Sequence, residues 1–472
     1  MFGAAAVLTG GLFAAGPSAL AATIDIQPGI YTHFLSPSQP PTTAQCEAAL
    51  GIPCYQPGQL QTAYDEQPLF AQGNDGAGQT IAIVDAFGSP TIQADLATFD
   101  QEFGLPNPPS FQVIQPAGAV PPFDPNNATQ VGWAGETTLD VEWAHAMAPG
   151  ANIVLAETPV SEDTGTSGFS QIVQAENFII ANHLGSVISQ SFGTAEETFP
   201  NRGALLSLRG AYMNAARAGV TVLASSGDTG STNATNAGTL FPFPTTSWPA
   251  TDPLVTAVGG TQLQLDASGQ RTAPDQVWND TNNQTVNQLF FGNNGPNAIA
   301  TGGGLSAVFP RPANQNAVAS TVGGARGIPD ISMSAACSGP VLTFSSFPGQ
   351  PAGFSLVCGT SESSPVFAGI VSLAAQAAGH PLGLINPALY QLSAQQAAGL
   401  VDVTSGNNTV SFPQNNSIVT VPGFSAGAGY DLASGVGTLD AAQFVPELAQ
   451  AASAQLTATH GHGHGHGHSG ER

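Results

Sequence analysis

Residues 219–232 read GVTVLASSGDTGST. The stretch Val220 to Ala224 is a short, nearly unbroken apolar run, the pattern of a strand covered on both faces and hence of a parallel sheet. It leads directly into a turn carrying Asp228. Open α/β folds place their sites at the carboxyl ends of such strands, so Asp228 is a candidate functional residue. An Asp beside Gly that merely shapes a turn is the plainer account.

Working outward, similar runs occur at Thr80 to Val84, Asn152 to Ala156, Ser186 to Ser189 and Leu254 to Val258. Helical patterns lie between them, at Glu136 to Met147, Gln171 to Asn182, Leu205 to Ala218 and Ser364 to Ala378. This alternation predicts an α/β domain over residues 64–450, with a central, mostly parallel sheet flanked by helices. Residues 230–250 and 264–300 are polar and read as long surface loops. Residues 23–63 read as a loose N-terminal arm, and 451–472 as a disordered His/Gly-rich tail. Residues 1–22 look like a secretory leader: an apolar run, Pro17, and a small-residue site around Ala19 to Ala21, although no Lys or Arg precedes the run.

The chain has 472 residues and a formal charge of −24, with 7 basic residues against 31 acidic ones. Such a surface repels nucleic acid and anionic membranes, so neither is an expected partner. In acid the carboxylates lose their charge and few cations remain to repel one another. That favours tolerance of acid, although plain surface drift gives the same composition. The four Cys fall as two local pairs, Cys46 with Cys54 and Cys337 with Cys358. Four Cys allow three pairings, and free buried thiols remain an alternative; the local disulfide pairing suits a secreted, extracellular protein.

The stretch 358–378, CGTSESSPVFAGIVSLAAQAA, sets Ser361 at the mouth of an apolar helix. The positive end of a helix dipole there favours a developing oxyanion; a Ser/Thr helix cap is the plainer account. A nucleophilic Ser needs a base. Outside the tail the histidines are His33, His145, His183 and His380, none in a His-Gly-Thr context. Either Ser361 is not catalytic, or its base is a carboxylate. The stretch 135–151, GETTLDVEWAHAMAPGA, supplies Glu136 and Asp140, four apart and so on one helix face. In a cleft the two acids would share a proton and titrate as a unit; on an exposed helix they would be ordinary solvated acids. A protonated Asp228 could donate a hydrogen bond to an oxyanion where an ionised one could not.

These motifs together resemble the sedolisin family of serine-carboxyl peptidases, the kumamolisin and tripeptidyl-peptidase relatives. The resemblance runs over roughly 64–445 and rests on Glu136-x-x-x-Asp140, SSGD ending at Asp228, and GTS-x-S-S-P around Ser361. It is carried further by IAIVDAFGSP at 81–90, WPATDPLVTAVGGT at 248–261, TGGGLS at 301–306 and LGLINPALY at 382–390. It implies a subtilisin-like three-layer fold and an acid-acting enzyme that hydrolyses peptide or unfolded protein. It further implies Ser361 as nucleophile, Glu136 as base, Asp140 as its partner and Asp228 in the oxyanion hole. SQSFG at 189–193 resembles the family's substrate-binding strand, which implies Ser189, Phe192 and Gly193 as substrate-binding residues. A Ca2+ site is implied at Asp402, Val403, Gly427, Gly429 and Asp431, whose oxygens are the hard ligands calcium takes.

The chain departs from the family at three places. A long folded prodomain is the family habit, whereas the short stretch 23–63 separates leader from peptidase region. Phe192 stands where some relatives have Trp, which removes an N–H donor. Asp85 stands where some relatives have a Glu behind the catalytic pair, and the shorter acid is expected to reach less well. The rival readings are an inactive extracellular binding protein on the same scaffold and a glycosidase using Glu136 and Asp140. The helical adjacency of those two acids suits a shared proton better than flanking a sugar bond. A monomer is expected.

Overall fold

The computed structural model describes residues 31–35, 39–162 and 165–461. The leader-like stretch 1–22 and the Gly/His residues from 462 onward lie outside the described residues. Among the described residues no helix is long and apolar enough to cross a membrane.

An eight-stranded sheet forms the centre. Its path runs Gln276–Val277, Thr256–Gln262, Thr221–Ser225, Val187–Gln190, Thr80–Ala86, Asn152–Thr158 and Phe111–Ile114, with Ile331–Ser334 added beside Thr256–Gln262. All these pairings are parallel except that of Gln276–Val277. The expected strands are all present, with ends moved by a few residues. Side chains alternate between two apolar layers. Ile81, Ile83, Ile153 and Leu155 point into one, with Leu139, Trp143, Phe367 and Ile370 from the helices. Ala82, Val84, Val154 and Ala156 point into the other, with Phe169, Ile172 and Tyr212. The sheet is therefore covered on both faces, the three-layer arrangement expected from the unbroken runs.

Two helices on the first face carry the candidate residues Glu136, Asp140 and Ser361. Ala128–Met147 starts earlier than its sequence pattern suggests, because Asn127 caps it by accepting the Gln130 N–H. Thr360–Ala378 is buried from Thr360 to Ala375. The two helices cross closely: a Cβ at Gly369 would lie 2.5 Å from the Met147 Cβ. No larger residue fits there.

Four expectations need correction. Residues 43–63 are not loose: Thr43–Leu50 and Pro57–Ala63 are helices, the first closed by a capping box at Thr42. The tail is helical up to Gly461 within Ala441–Gly461, because Phe444, Val445, Leu448, Ala451 and Ala452 form an apolar face that packs on the core. The helix expected over Leu205 to Ala218 is broken into Arg202–Leu206 and Gly210–Ala218. Segments 230–250 and 264–300 are not purely surface loops, since Ser231, Trp248, Trp278, Asn287 and Ile299 are fully buried. Both local disulfides are formed, Cys46–Cys54 and Cys337–Cys358.

Candidate active site

The strand Gly353–Cys358 enters the serine-bearing helix through Gly359, whose φ of 130° suits glycine alone. The helix begins at Thr360, so Ser361 lies in its first turn and Pro365 in its second. Pro365 has no N–H to offer the carbonyl four residues back, that of Ser361. The Ser191 hydroxyl lies between two acceptors: it donates to Asp140 Oδ1 at 2.7 Å and its Oγ is 3.2 Å from the Ser361 carbonyl oxygen. Ser191, on the turn after Val187–Gln190, thus ties the serine-bearing helix to the acid-bearing one. Its place in SQSFG was visible in the sequence, but its partners were not.

Glu136 and Asp140 share the inward face of Ala128–Met147, and both are wholly buried. Burial, then the charge of Asp140, pushes the Glu136 carboxyl well above the usual range, while the Ser361 hydroxyl beside it pulls the other way. Burial, then the charge of Asp85, does the same to Asp140. Asp85, at the end of Thr80–Ala86, is wholly buried and faces both Asp140 and the Thr137 hydroxyl; burial raises it to about 7. Neither oxygen of Glu136 or of Asp85 accepts a well-formed hydrogen bond, so these carboxyls approach one another without alignment. The shorter acid does reach Asp140. Ser361 Oγ is 3.4 Å from the Ser191 carbonyl oxygen, a long contact.

Asp228 lies after Thr221–Ser225 and is bonded to Thr360, the residue before Ser361. Its Oδ1 accepts the Thr360 N–H at 2.6 Å and the Thr360 hydroxyl at 2.7 Å. Burial raises it to about 7, against the lowering effect of Thr360. The structure therefore brings Ser361, Glu136, Asp140 and Asp228 together. His145 is elsewhere, with Nε2 2.7 Å from the Pro106 carbonyl and 3.2 Å from Asp100 Oδ1.

The substrate-binding candidates are placed less uniformly. Ser189 is enclosed, its hydroxyl 2.8 Å from Ser364 Oγ. Phe192 packs against Trp133 and Phe169, with ring centroids 6.2 and 6.3 Å away. Gly193 abuts Ser247 and Trp248, where a Cβ would meet the Trp248 carbonyl at 3.1 Å.

The calcium candidates form one loop cluster. Asp402 Oδ2 accepts the Gly429 N–H at 2.8 Å, and Asp431 Oδ2 accepts the Gly427 N–H at 3.0 Å. Ser434 Oγ joins Asp431 to the Val403 carbonyl. Two carboxylates and nearby loop carbonyls make an oxygen-only donor set, which fits a hard cation. Among the described residues no group of three or more His, Cys, Asp or Glu side chains gathers as a metal site.

A mostly parallel sheet flanked by helices, with buried acids gathered beside Ser361, defines the class, and residues 126–414 match the Subtilase family. Kumamolisin of Bacillus sp. (strain MN-32) is 31% identical over 424 residues, covering 88% of this chain and 67% of kumamolisin. Sedolisin of Pseudomonas sp. (strain 101) is 30% identical over 392 residues, covering 82% of this chain and 60% of sedolisin. The chain belongs to the sedolisin family, whose members named here are serine-carboxyl peptidases. It spans about two thirds of the length of those relatives. The structure of Pseudomonas sedolisin, a serine-carboxyl proteinase complexed with two molecules of pseudo-iodotyrostatin, matches with a TM-score of 0.69 at 28% identity. That match covers 84% of this chain and 97% of the other.

Proposed function

We propose that this chain is a secreted, acid-acting serine-carboxyl peptidase that cleaves peptide bonds through an acyl-enzyme on Ser361. The observation that carries the reading is the buried Glu136 carboxyl set against the Ser361 hydroxyl, with Asp140 and Asp85 behind it.

Three carboxyls in contact ionise stepwise. The first charge forms while the other two are still protonated and cause no repulsion. The Ser361 hydroxyl favours an ionised Glu136 and the Ser191 hydroxyl an ionised Asp140, so the cluster shares the charge and the share on Glu136 is the one beside Ser361. Glu136 then takes the Ser361 proton as Oγ bonds to the substrate carbonyl carbon. The carbonyl oxygen becomes negative and receives a hydrogen bond from neutral Asp228, helped by backbone N–H groups at the helix mouth. Collapse of the intermediate breaks the C–N bond, and Glu136 returns its proton to the leaving amine. Water repeats the sequence and releases the acid product. Both ends need acid: the base cluster must keep protons, and Asp228 must stay neutral.

Calcium would be held by the carboxylates of Asp402 and Asp431 and the carbonyls of Val403, Gly427 and Gly429. Bound there, the ion supplies cohesion between two loops and no step of the reaction. Export to an oxidising compartment is supported by two formed disulfides.

The test is digestion of casein and a peptide library at low pH. Ser361→Ala should be folded and inactive, and full activity in that variant would end the reading.

A further inference from the structure

A cavity of about 280 Å³ lies beside the acid-bearing helix, between it and the strands Val341–Ser345 and Gly353–Cys358. Val131, Gly132, Gly135 and Thr138 of the helix form one wall. A residue advances about 100° around an α-helix, so Val131 and Gly135 project from the flank opposite Trp133. Trp133 is the residue that packs on Phe192, next to the turn after Val187–Gln190. Glu136 projects between the two flanks. The acids thus have the Ser191–Gly193 turn on one side and this cavity on the other. The opposite wall includes Val357, four residues before Ser361 on the strand that feeds the serine-bearing helix. The rim carries Thr32, from the segment Tyr31–Phe34 paired antiparallel with Gly353–Cys358.

The lining has no charged side chain. Its polar residues are Thr32, Thr138, Thr343, Ser345, Ser355 and Gln350, beside the Phe347 ring; the Thr138 hydroxyl already donates to the Ala134 carbonyl, which leaves the others to meet a ligand. Hydroxyls and amides both donate and accept, so a neutral polar group entering would find partners of either kind. A charged group would be desolvated with no counter-charge, which is costly.

We propose that this cavity receives a neutral, hydrogen-bonding side chain (Gln, Asn, Ser or Thr) from one of the first two residues on the leaving-group side of the scissile bond. The inference rests on the peptidase reading. A peptide that reaches Ser361 past the Ser191–Gly193 turn leaves beyond Glu136, and the cavity is what it meets there. The two glycines at 132 and 135 keep that flank of the helix open.

The experiment uses the full chain at acidic pH. Peptides share one acyl half and vary in the two following residues. In a second arm the acyl-enzyme is offered dipeptide amides as competing nucleophiles. The ratio of aminolysis to hydrolysis is internal, so it does not depend on how much of a variant is correctly folded. Gln is expected to exceed Lys and Arg by roughly tenfold or more at one of the two positions, with Leu between. Thr343→Val should move the preference from Gln toward Leu, and Ser345→Phe should abolish the selectivity by filling the cavity. Cleavage that is indifferent to both positions, or selectivity unchanged in both variants, would overturn the cavity's role and leave the peptidase reading standing. Absence of any cleavage by the unaltered chain would sink both.

Discussion

The carboxyl of Asp85 lies against that of Asp140, and both are wholly buried. Asp85 comes from a strand end and Asp140 from a helix, so the pair joins the sheet to the acid-bearing helix. With burial holding Asp85 at about 7, it carries a proton throughout the acid range. That proton spares Asp140, and through it Glu136, a neighbouring charge. Asp85→Ala should lower kcat by roughly tenfold, since a group acting through another contributes less than the 10²–10⁴-fold of direct acid–base catalysis. Asp85→Asn, neutral at every pH, should recover most of that loss and shift the pH profile. A merely structural Asp85 would change Tm and leave the profile in place.

The buried acids also set how stability depends on pH. Burial raises Asp85 and Asp228 to about 7 and Glu362 to about 8, from ordinary values of 3.8, 3.8 and 4.5. Between the ordinary and the raised value the folded chain holds a proton that the unfolded chain has lost. Stability therefore falls as pH rises across that window, by up to about 1.4 kcal/mol per pH unit for each such group. Denaturant midpoints should be highest near pH 4 and decline toward pH 7. Glu362→Gln, which removes one titrating site, should flatten the decline. A midpoint that rises over this interval would contradict the account.

The sheet was legible because strands covered on both faces need apolar runs, and Val220 to Ala224 and Thr80 to Val84 are short enough to favour strand over helix. The acid pair was legible because a spacing of four has one meaning on a helix. Ser191 was not, since its place depends on Asp140 and the Ser361 carbonyl, which are distant in sequence. The contact of Asp85 with Asp140 was underrated for a similar reason: reach depends on where a strand ends, not on side-chain length alone. Helix limits failed where a cap or packing decided them, at Asn127 and at Ala451 and Ala452.

On the proposed mechanism, Ser191 is expected to act as a positioning residue. It holds Asp140 at 2.7 Å and sits 3.2 Å from the Ser361 carbonyl. Ser191→Ala leaves one Asp140 oxygen without its donor and removes the hydroxyl beside the Ser361 carbonyl. The expected result is a loss of kcat with KM little changed, and a destabilisation of about 1–3 kcal/mol for the buried oxygen left unpaired. Restored activity in Ser191→Thr, which keeps the hydroxyl, would separate positioning from bulk. Unaltered kcat in Ser191→Ala would dismiss the role.

The loop cluster of Asp402 and Asp431 predicts stabilisation by calcium. A ligand at a hundred times its Kd adds about 2.7 kcal/mol to the folded state. Tm should rise when calcium replaces chelator, and Asp402→Asn should remove the rise while leaving the chelated Tm near that of the unaltered chain. Magnesium should do less, because the site offers several protein oxygens and magnesium retains its water. Equal Tm in calcium and chelator would refute the site.

Asp228 gives the sharpest pH test, because its proposed role needs a proton. Its Oδ1 is occupied by both Thr360 donors, which fixes the carboxyl in orientation. Below about 7 it is neutral and can donate. As pH rises through that value it becomes an anion facing a developing anion, and the reaction should slow. Asp228→Ala removes the donor and should cost on the order of 10²–10³ in kcat, as for other single oxyanion-hole groups. Asp228→Asn can accept from Thr360 through its oxygen and donate through its nitrogen at any pH. It should therefore keep far more activity than the alanine variant and lose the part of the alkaline limb that Asp228 sets. If Asp228→Asn is as slow as Asp228→Ala, with the limb unmoved, the residue only orders the turn before Thr360 and the oxyanion must be held by backbone alone.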